Sequence, residues 1–228
     1  MVPEPFVLRA KRQDTSDTWT LDLVSAAEDA GIAFAPGQFT MIAARGSGEV
    51  PISISGDPAE RDALVQTIRA VGLATHAICD AQPGQVLGIR GPFGNAWPVE
   101  ALEGRDVVVA TGGSGLAPLR PAILAMLARR EHYGRLVLLY GARTPGGMLF
   151  VDELERWRDG GFEIHTTVDS AGPEWLGHVG VVTRLIGRAK LDGARLAGLI
   201  CGRHRPEATS VQGTSSATHV RRASTHVR

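Results

Sequence analysis

Between residues 5 and 90 the apolar positions alternate. Phe6-Val7-Leu8, Trp19-Leu21-Leu23, Phe39-Met41-Ile42, Ile52-Ile54 and Leu64-Gln66-Ile68 follow a period of two. Turn-forming clusters separate them at Asp14-Thr15-Ser16-Asp17, Ala35-Pro36-Gly37, Gly46-Ser47-Gly48 and Gly56-Asp57-Pro58. Successive strand side chains point to opposite faces, so this period marks strands with one buried face. Short strands at regular spacing predict a small antiparallel barrel. Residues 72–78 read as one short helix, and 86–90 as a last strand before Gly91-Pro92-Phe93-Gly94.

From Arg105 the rhythm changes to continuous apolar strands separated by helices. Residues 106–110, 136–140, 163–168 and 196–201 have strand character, and 121–130, 148–158 and 181–190 have helix character. That alternation predicts a doubly wound α/β domain with a parallel sheet. The chain is therefore expected to divide into a barrel at 1–98, an α/β domain at 99–202 and a tail at 203–228. The tail has no Leu, Ile, Met or aromatic residue. It sets Arg203, Arg205, Arg221, Arg222 and Arg228 against Glu207 alone, and repeats Thr218-His219-Val220-Arg221 as Thr225-His226-Val227-Arg228. Such a segment buries too little surface to offset its ordering entropy, so disorder is expected. A natural C-terminus lost, for instance by a frameshift, is the favoured origin; a flexible basic tail is the alternative.

Composition narrows the function. The 228 residues are 43% hydrophobic and 21% charged with zero formal net charge, so no global field draws the chain to nucleic acid or an anionic membrane. No apolar run approaches the ~20 residues that span a bilayer. The first 14 residues, MVPEPFVLRAKRQD, lack an apolar signal core, and a cytoplasmic setting is expected. Cys79 and Cys201 are the only cysteines, too few and too far apart for a disulfide framework or an unaided metal site. His76, His132, His165 and His178 are isolated without metal spacing, and His204, His219 and His226 lie in the tail.

The strongest chemical signal is residues 106–120, DVVVATGGSGLAPLR: an apolar strand, a glycine turn, then a helix. Backbone N–H groups and a helix start in that arrangement can hold a phosphate. The turn is not the dinucleotide fingerprint GxGxxG, because Pro118 occupies the third glycine's place. It is not a P-loop, since no Gly-Lys-Ser/Thr follows, and Leu116 excludes the GxSxG elbow around Ser114. A backbone cradle for a pyrophosphate remains, with Pro118 suited to the first helical turn; a tight β–α turn without ligand is the alternative.

Ala110-Thr111-Gly112-Gly113-Ser114-Gly115-Leu116-Ala117-Pro118-Leu119 resembles the nicotinamide-nucleotide motif of the ferredoxin–NADP reductase superfamily. Tyr140-Gly141-Ala142-Arg143-Thr144-Pro145, Leu149-Phe150-Val151-Asp152-Glu153-Leu154 and the late Cys201-Gly202 match as well. In the first half, Pro51-Ile52-Ser53-Ile54-Ser55, Gly72-Leu73-Ala74-Thr75 and Gly91-Pro92-Phe93-Gly94 resemble the family's flavin-binding barrel. The pieces fall in family order across residues 5–202. They most resemble the NAD(P)H-side subunit of cytoplasmic hydrogenases and anaerobic sulfite reductases.

The resemblance implies an FAD-binding barrel, an NAD(P)-binding α/β domain, and hydride transfer between NAD(P)H and FAD, with electrons passed to a partner subunit or another acceptor. Cofactor contacts are implied at Pro51, Ile52, Ser53, Ile54, Gly72, Thr75, Gly91 and Pro92 for the flavin. For the dinucleotide they are implied at Thr111, Gly112, Gly113, Ser114, Gly115, Pro118, Gly141, Arg143, Cys201 and Gly202. Ser53 would hydrogen-bond near the flavin N5, and Cys201 would stand near the nicotinamide; these are the two expected catalytic residues. Thr75 is read either as part of a flavin-phosphate site or as a plain cap.

The sequence also departs from the family. Where the flavin strand usually reads Arg-x-Tyr-Ser/Thr, Val50, Ile52 and Ser53 stand, so Arg69 is the expected substitute for the missing pyrophosphate cation. Arg203 replaces the proline of Cys-Gly-Pro, and no cysteine beyond Cys201 is present for the [2Fe-2S] centre that this branch carries. Alternatives are a stand-alone NAD(P)H:flavin or dye reductase, or an inactive truncated scaffold. NAD against NADP stays open.

Overall fold

The computed structural model describes residues 2–27, 31–191 and 195–202. The expectations for the tail at 203–228, including Arg203, lie outside the described residues. Two compact units emerge, one made of residues up to Val99 with Ala117–Ala128, the other of Glu100–Leu116 and the described residues from Arg129 onward.

The first unit is built on β1 (Glu4–Thr15), β2 (Thr18–Ser25), β3 (Phe39–Ala43), β4 (Glu49–Ser53), β5 (Leu64–Arg69) and β6 (Val86–Phe93). They form one antiparallel sheet in the order β4-β3-β6-β1-β2-β5. An antiparallel bridge from Ile54 to Gln66 joins its two edge strands, which closes the sheet as the alternating pattern predicts. Inward positions Leu8, Leu21, Leu23, Ile42, Ile54, Leu64, Ile68 and Ile89 are buried to within 1%. Gln66 holds an inward position too, and it is fully buried. Its Nε2 donates to Thr40 Oγ1 at 2.9 Å and to the Ile52 carbonyl at 2.8 Å, so the polar side chain stitches the seam.

β6 continues through Gly91-Pro92-Phe93, where the sequence reading expected the strand to have ended. Helix α1 (Leu73–Asp80) follows β5 at once. It stops where Lys11 Nζ donates to the carbonyls of Cys79 at 2.8 Å and Ala81 at 3.0 Å, supplying a cation to the carbonyl end.

The second unit is a parallel sheet of β7 (Asp106–Gly112), β8 (Leu136–Ala142), β9 (Phe162–Val168), β10 (His178–Val179) and β11 (Leu196–Cys201), in the order β10-β9-β8-β7-β11. The parallel sheet expected from the sequence is present. Every residue of β8 is buried, which explains its unbroken apolar run. Helix α2 (Arg120–Ala128) follows the glycine turn in sequence, and α3 (Val151–Asp159) follows β8.

Two expectations need correction. The helix expected at 181–190 is only a 3₁₀ turn, Val182–Leu185. Val181, Val182 and Thr183 are β-branched, and Gly180 and Gly187 flank the turn, all of which disfavour an α-helix. Leu185 and Ala189 nevertheless reach the core beside Val108, Val137 and Leu139. The two-residue β10 has both residues exposed, so no apolar period announces it. Among the described residues, no helix is long and apolar enough to cross a membrane.

Candidate functional site

In the second unit, β8 and β9 lie on one side of β7 while β11 lies on the other. The strand order therefore reverses between β7 and β11, and doubly wound sheets bind ligands in the crevice outside the carboxyl ends at such a point. Cys201 pairs in register with Thr111 there, and β7 runs directly into a 3₁₀ turn, Gly113–Leu116. The glycine turn and the Cys201-Gly202 end, 86 positions apart in sequence when counted from Gly115 to Cys201, thus meet at one place.

Local packing explains the turn's composition. Gly113 has φ +54°, in the left-handed region. Gly115 has no room for a side chain: a Cβ would lie 2.6 Å from Thr111 Oγ1 and 2.8 Å from the Cys201 carbonyl oxygen. Gly112 and Ser114 are exposed, and Gly202 is exposed opposite Gly112. Thr111 is 2% exposed, and its hydroxyl has no hydrogen-bond partner among the described residues. A 3₁₀ turn also leaves its first N–H groups unbonded. Pro118 lies in the turn just ahead of α2, not in the helix's first turn as expected.

Cys201 is half-buried, and burial pushes its thiol pKa upward. A neutral thiol suits a small packing group beside a ligand rather than a nucleophile.

At the end of β8, Gly141 is buried against the turn that replaced the expected helix; a Cβ there would meet Val182 Cβ at 3.1 Å. Arg143 is exposed, and its guanidinium has no partner among the described residues. The loop beyond it is held by Tyr140, whose fully buried hydroxyl oxygen accepts from the Leu149 N–H at 2.8 Å. Burial pushes the Tyr140 pKa up to about 12, with that N–H opposing the shift. Phe150 then takes φ 54° at the start of α3, and its ring packs on Trp157 with centroids 6.5 Å apart. Tyr140 escaped the sequence reading; its signal is a lone hydroxyl in an otherwise apolar central strand.

In the barrel unit, Phe39 pairs with Ser53 on one side and Phe93 on the other. Ser53 and the Gly91-Pro92-Phe93 stretch are therefore brought to one end of the sheet. Pro51 and Ile52 pair with Met41 and Thr40 on the same strand, and Ile54 forms the closing bridge. The Ser53 side chain is half-buried, with no hydrogen-bond partner among the described residues. Phe39 and Phe93 pack with centroids 5.8 Å apart. Gly91, at φ +142°, passes so close to β3 that a Cβ would meet Thr40 Cγ2 at 3.1 Å.

The remaining flavin candidates are already engaged. The Thr75 hydroxyl accepts from the Val71 and Gly72 N–H groups, each at 2.9 Å, and donates to the Gly72 carbonyl at 3.0 Å. That fills the capacity of one hydroxyl. The free N–H groups of the first turn of α1 remain, since the first bond of the helix runs from the His76 N–H to Gly72. Arg69 donates to Asp17 at 2.6 Å. Burial raises the Asp17 pKa, but hydrogen bonds from Arg69, Thr18 and Thr15 outweigh it and hold the carboxyl below its usual range.

A closed antiparallel barrel with a 4-3-2-1-5-ordered parallel sheet, its glycine turn at the point of reversal, defines a reductase-type fold. Comparisons agree. Residues 109–211 match the family model described as the oxidoreductase NAD-binding domain. The sulfhydrogenase 1 gamma subunit of Pyrococcus furiosus is 31% identical over 200 residues, which cover 86% of this chain and 64% of that protein. The probable dihydroorotate dehydrogenase B (NAD(+)) electron transfer subunit of Methanocella arvoryzae is 37% identical over 151 residues, 66% of this chain and 51% of that one. The chain thus spans between half and two thirds of the length of these relatives. In fold, the cytochrome b5 reductase domain of Ulva prolifera nitrate reductase superposes with a TM-score of 0.73 at 17% identity, covering 88% of this chain and 87% of that one. In fold and in sequence the chain is similar to the reductases of the ferredoxin–NADP reductase superfamily, and residues 109–211 carry the oxidoreductase NAD-binding domain.

Proposed function

We propose that this chain is an NAD(P)H-dependent flavin oxidoreductase that serves as an electron-transfer subunit. The observation that carries the reading is the glycine turn at the strand-order reversal, shaped by Gly115 against Thr111 and Cys201. Its exposed amides offer donors to a pyrophosphate, and the unpartnered Arg143 offers a cation for the adenosine end. The barrel has donors for a flavin: the free Ser53 hydroxyl for the ring, and the first-turn N–H groups of α1 for the phosphates. FAD, when bound, takes up a hydride equivalent and can release its electrons singly. The chain's own residues orient the two cofactors, and proximity supplies most of the rate.

The partner is a second subunit that exchanges electrons with this chain; the relatives are named as a sulfhydrogenase gamma subunit and a dihydroorotate dehydrogenase electron transfer subunit. A hydrogenase-like partner is the primary assignment and a sulfite-reductase-like one the variant.

Titration of the purified chain with FAD, followed by flavin fluorescence, tests the barrel's part. Saturable uptake of one FAD per chain is expected, and no uptake would contradict the reading. Within it, Ser53→Ala should leave FAD bound but slow its reduction by nicotinamide about tenfold, the effect of one hydrogen bond. An unchanged rate would make Ser53 an ordinary strand residue. Arg69 puts its Nε on Asp17, whose negative charge offsets the cation that a pyrophosphate would meet, so Asp17→Asn should tighten FAD binding. Unchanged affinity would leave Arg69 as the structural partner of Asp17.

A further inference from the structure

The segment that leaves the glycine turn is tied to the barrel unit at two points. Gly37, at φ +97°, leaves room for the Trp97 indole, whose Cδ1 would stand 2.8 Å from a Cβ at that position. The Trp97 N–H donates to the Pro36 carbonyl at 2.7 Å, fixing the residue from its backbone. So held, and 7% exposed, Trp97 donates its indole Nε1–H to the Pro118 carbonyl at 3.0 Å. Two residues on, Arg120 Nη1 donates to the Ser55 carbonyl at 2.5 Å. Ser55 is itself rigid. It is fully buried, its Oγ lies 2.9 Å from Thr67 Oγ1, and Thr67 bonds Thr20, which donates to Asp14 at 2.6 Å. It is also two residues beyond Ser53 on the same extended stretch.

We propose that Arg120, with Trp97, is a positioning residue for hydride transfer. It clamps the arm Ala117-Pro118-Leu119-Arg120 to the stretch that carries Ser53, and so holds the Ser53 hydroxyl in place for the flavin ring. The inference rests on the flavin-reductase reading above. Arg120 touches neither cofactor in this account. It fixes the stretch that carries Ser53.

The test uses the full chain and Arg120→Ala, Arg120→Lys and Trp97→Phe. In hydrogen exchange without cofactor, Arg120→Ala should speed exchange about tenfold both at 119–123 and at 54–56, segments remote in sequence. Unchanged exchange at 54–56 would overturn the clamp, and that readout stands whether or not FAD binds. With FAD and NADPH or NADH, Arg120→Ala and Trp97→Phe should lower kcat about tenfold, with KM and FAD affinity within twofold of the parent. Arg120→Lys, which keeps one charged donor, should recover part of the loss. A shift in FAD affinity or KM with kcat unchanged would make Arg120 a binding or purely structural residue and overturn the proposal. Failure of the parent chain to take up FAD would instead sink the flavin-reductase reading, leaving the exchange result to decide the clamp.

Discussion

Gly115→Ala should lower the apparent Tm by roughly 2–12 °C and slow nicotinamide-driven flavin reduction by about two orders of magnitude. The added Cβ would sit 2.6 Å from Thr111 Oγ1 and 2.8 Å from the Cys201 carbonyl oxygen, both closer than real Cβ atoms approach. Neither neighbour is the free end of a flexible side chain. One is a short β-branched residue that is 2% exposed, and the other is main chain in β11. The turn, the strand or both must shift, and the shift falls on the amides proposed to hold the pyrophosphate. Thr111→Ala removes one of the two obstacles and an unpartnered hydroxyl with it. Added to Gly115→Ala, it should restore part of the Tm, whereas Thr111→Ala alone should change it little. Thermal unfolding of the four chains checks the account; an unperturbed Gly115→Ala would contradict the packing.

Tyr140→Phe should cost about 1–3 kcal/mol, because the Leu149 N–H then has no acceptor in a buried setting. The loop after Arg143 is loosened at its far end. The nicotinamide dinucleotide should accordingly bind several-fold more weakly, with the rate at saturation preserved. The same tyrosine makes stability depend on alkaline pH. Its pKa rises from the ordinary 10.0 to about 12 in the folded chain, so the unfolded chain loses its proton first. The contribution is fully present below about pH 10 and fades between about pH 10 and about pH 12. Denaturant unfolding at pH 9 and pH 11 should show a larger loss for the parent than for Tyr140→Phe. Equal losses would mean that Tyr140 is not the group responsible.

Much of this architecture was legible because two periods are physically distinct. A half-buried antiparallel strand has to alternate, as Leu21 and Leu23 do, and a strand buried on both faces, such as β8, admits a polar group only where it is bonded, as the Tyr140 hydroxyl is. The flavin-side candidates Ser53 and Gly91 to Phe93 were individually visible. Their convergence was not, since it runs through the pairing of Phe39 with both neighbours. Thr75 shows the reverse limit. A threonine after glycine is equally good as a cap or an anion ligand, and the three bonds that occupy its hydroxyl leave no mark in the sequence. The helix expected at 181–190 kept the right apolar spacing at Leu185 and Ala189, but β-branched residues and glycines prevented the helix from forming. Contacts such as Arg120 to Ser55, 65 residues apart, leave no mark in any local pattern.

The central claim is that this chain takes electrons from a nicotinamide dinucleotide bound at the glycine turn and passes them to a flavin bound by the barrel. Anaerobic mixing of the FAD-loaded chain with NADH or NADPH, followed at the flavin's visible absorbance, tests it most directly. Rapid, saturable bleaching by one of the two, lost in Gly115→Ala, is the predicted result; an oxidised flavin that persists with both nucleotides in excess would contradict it.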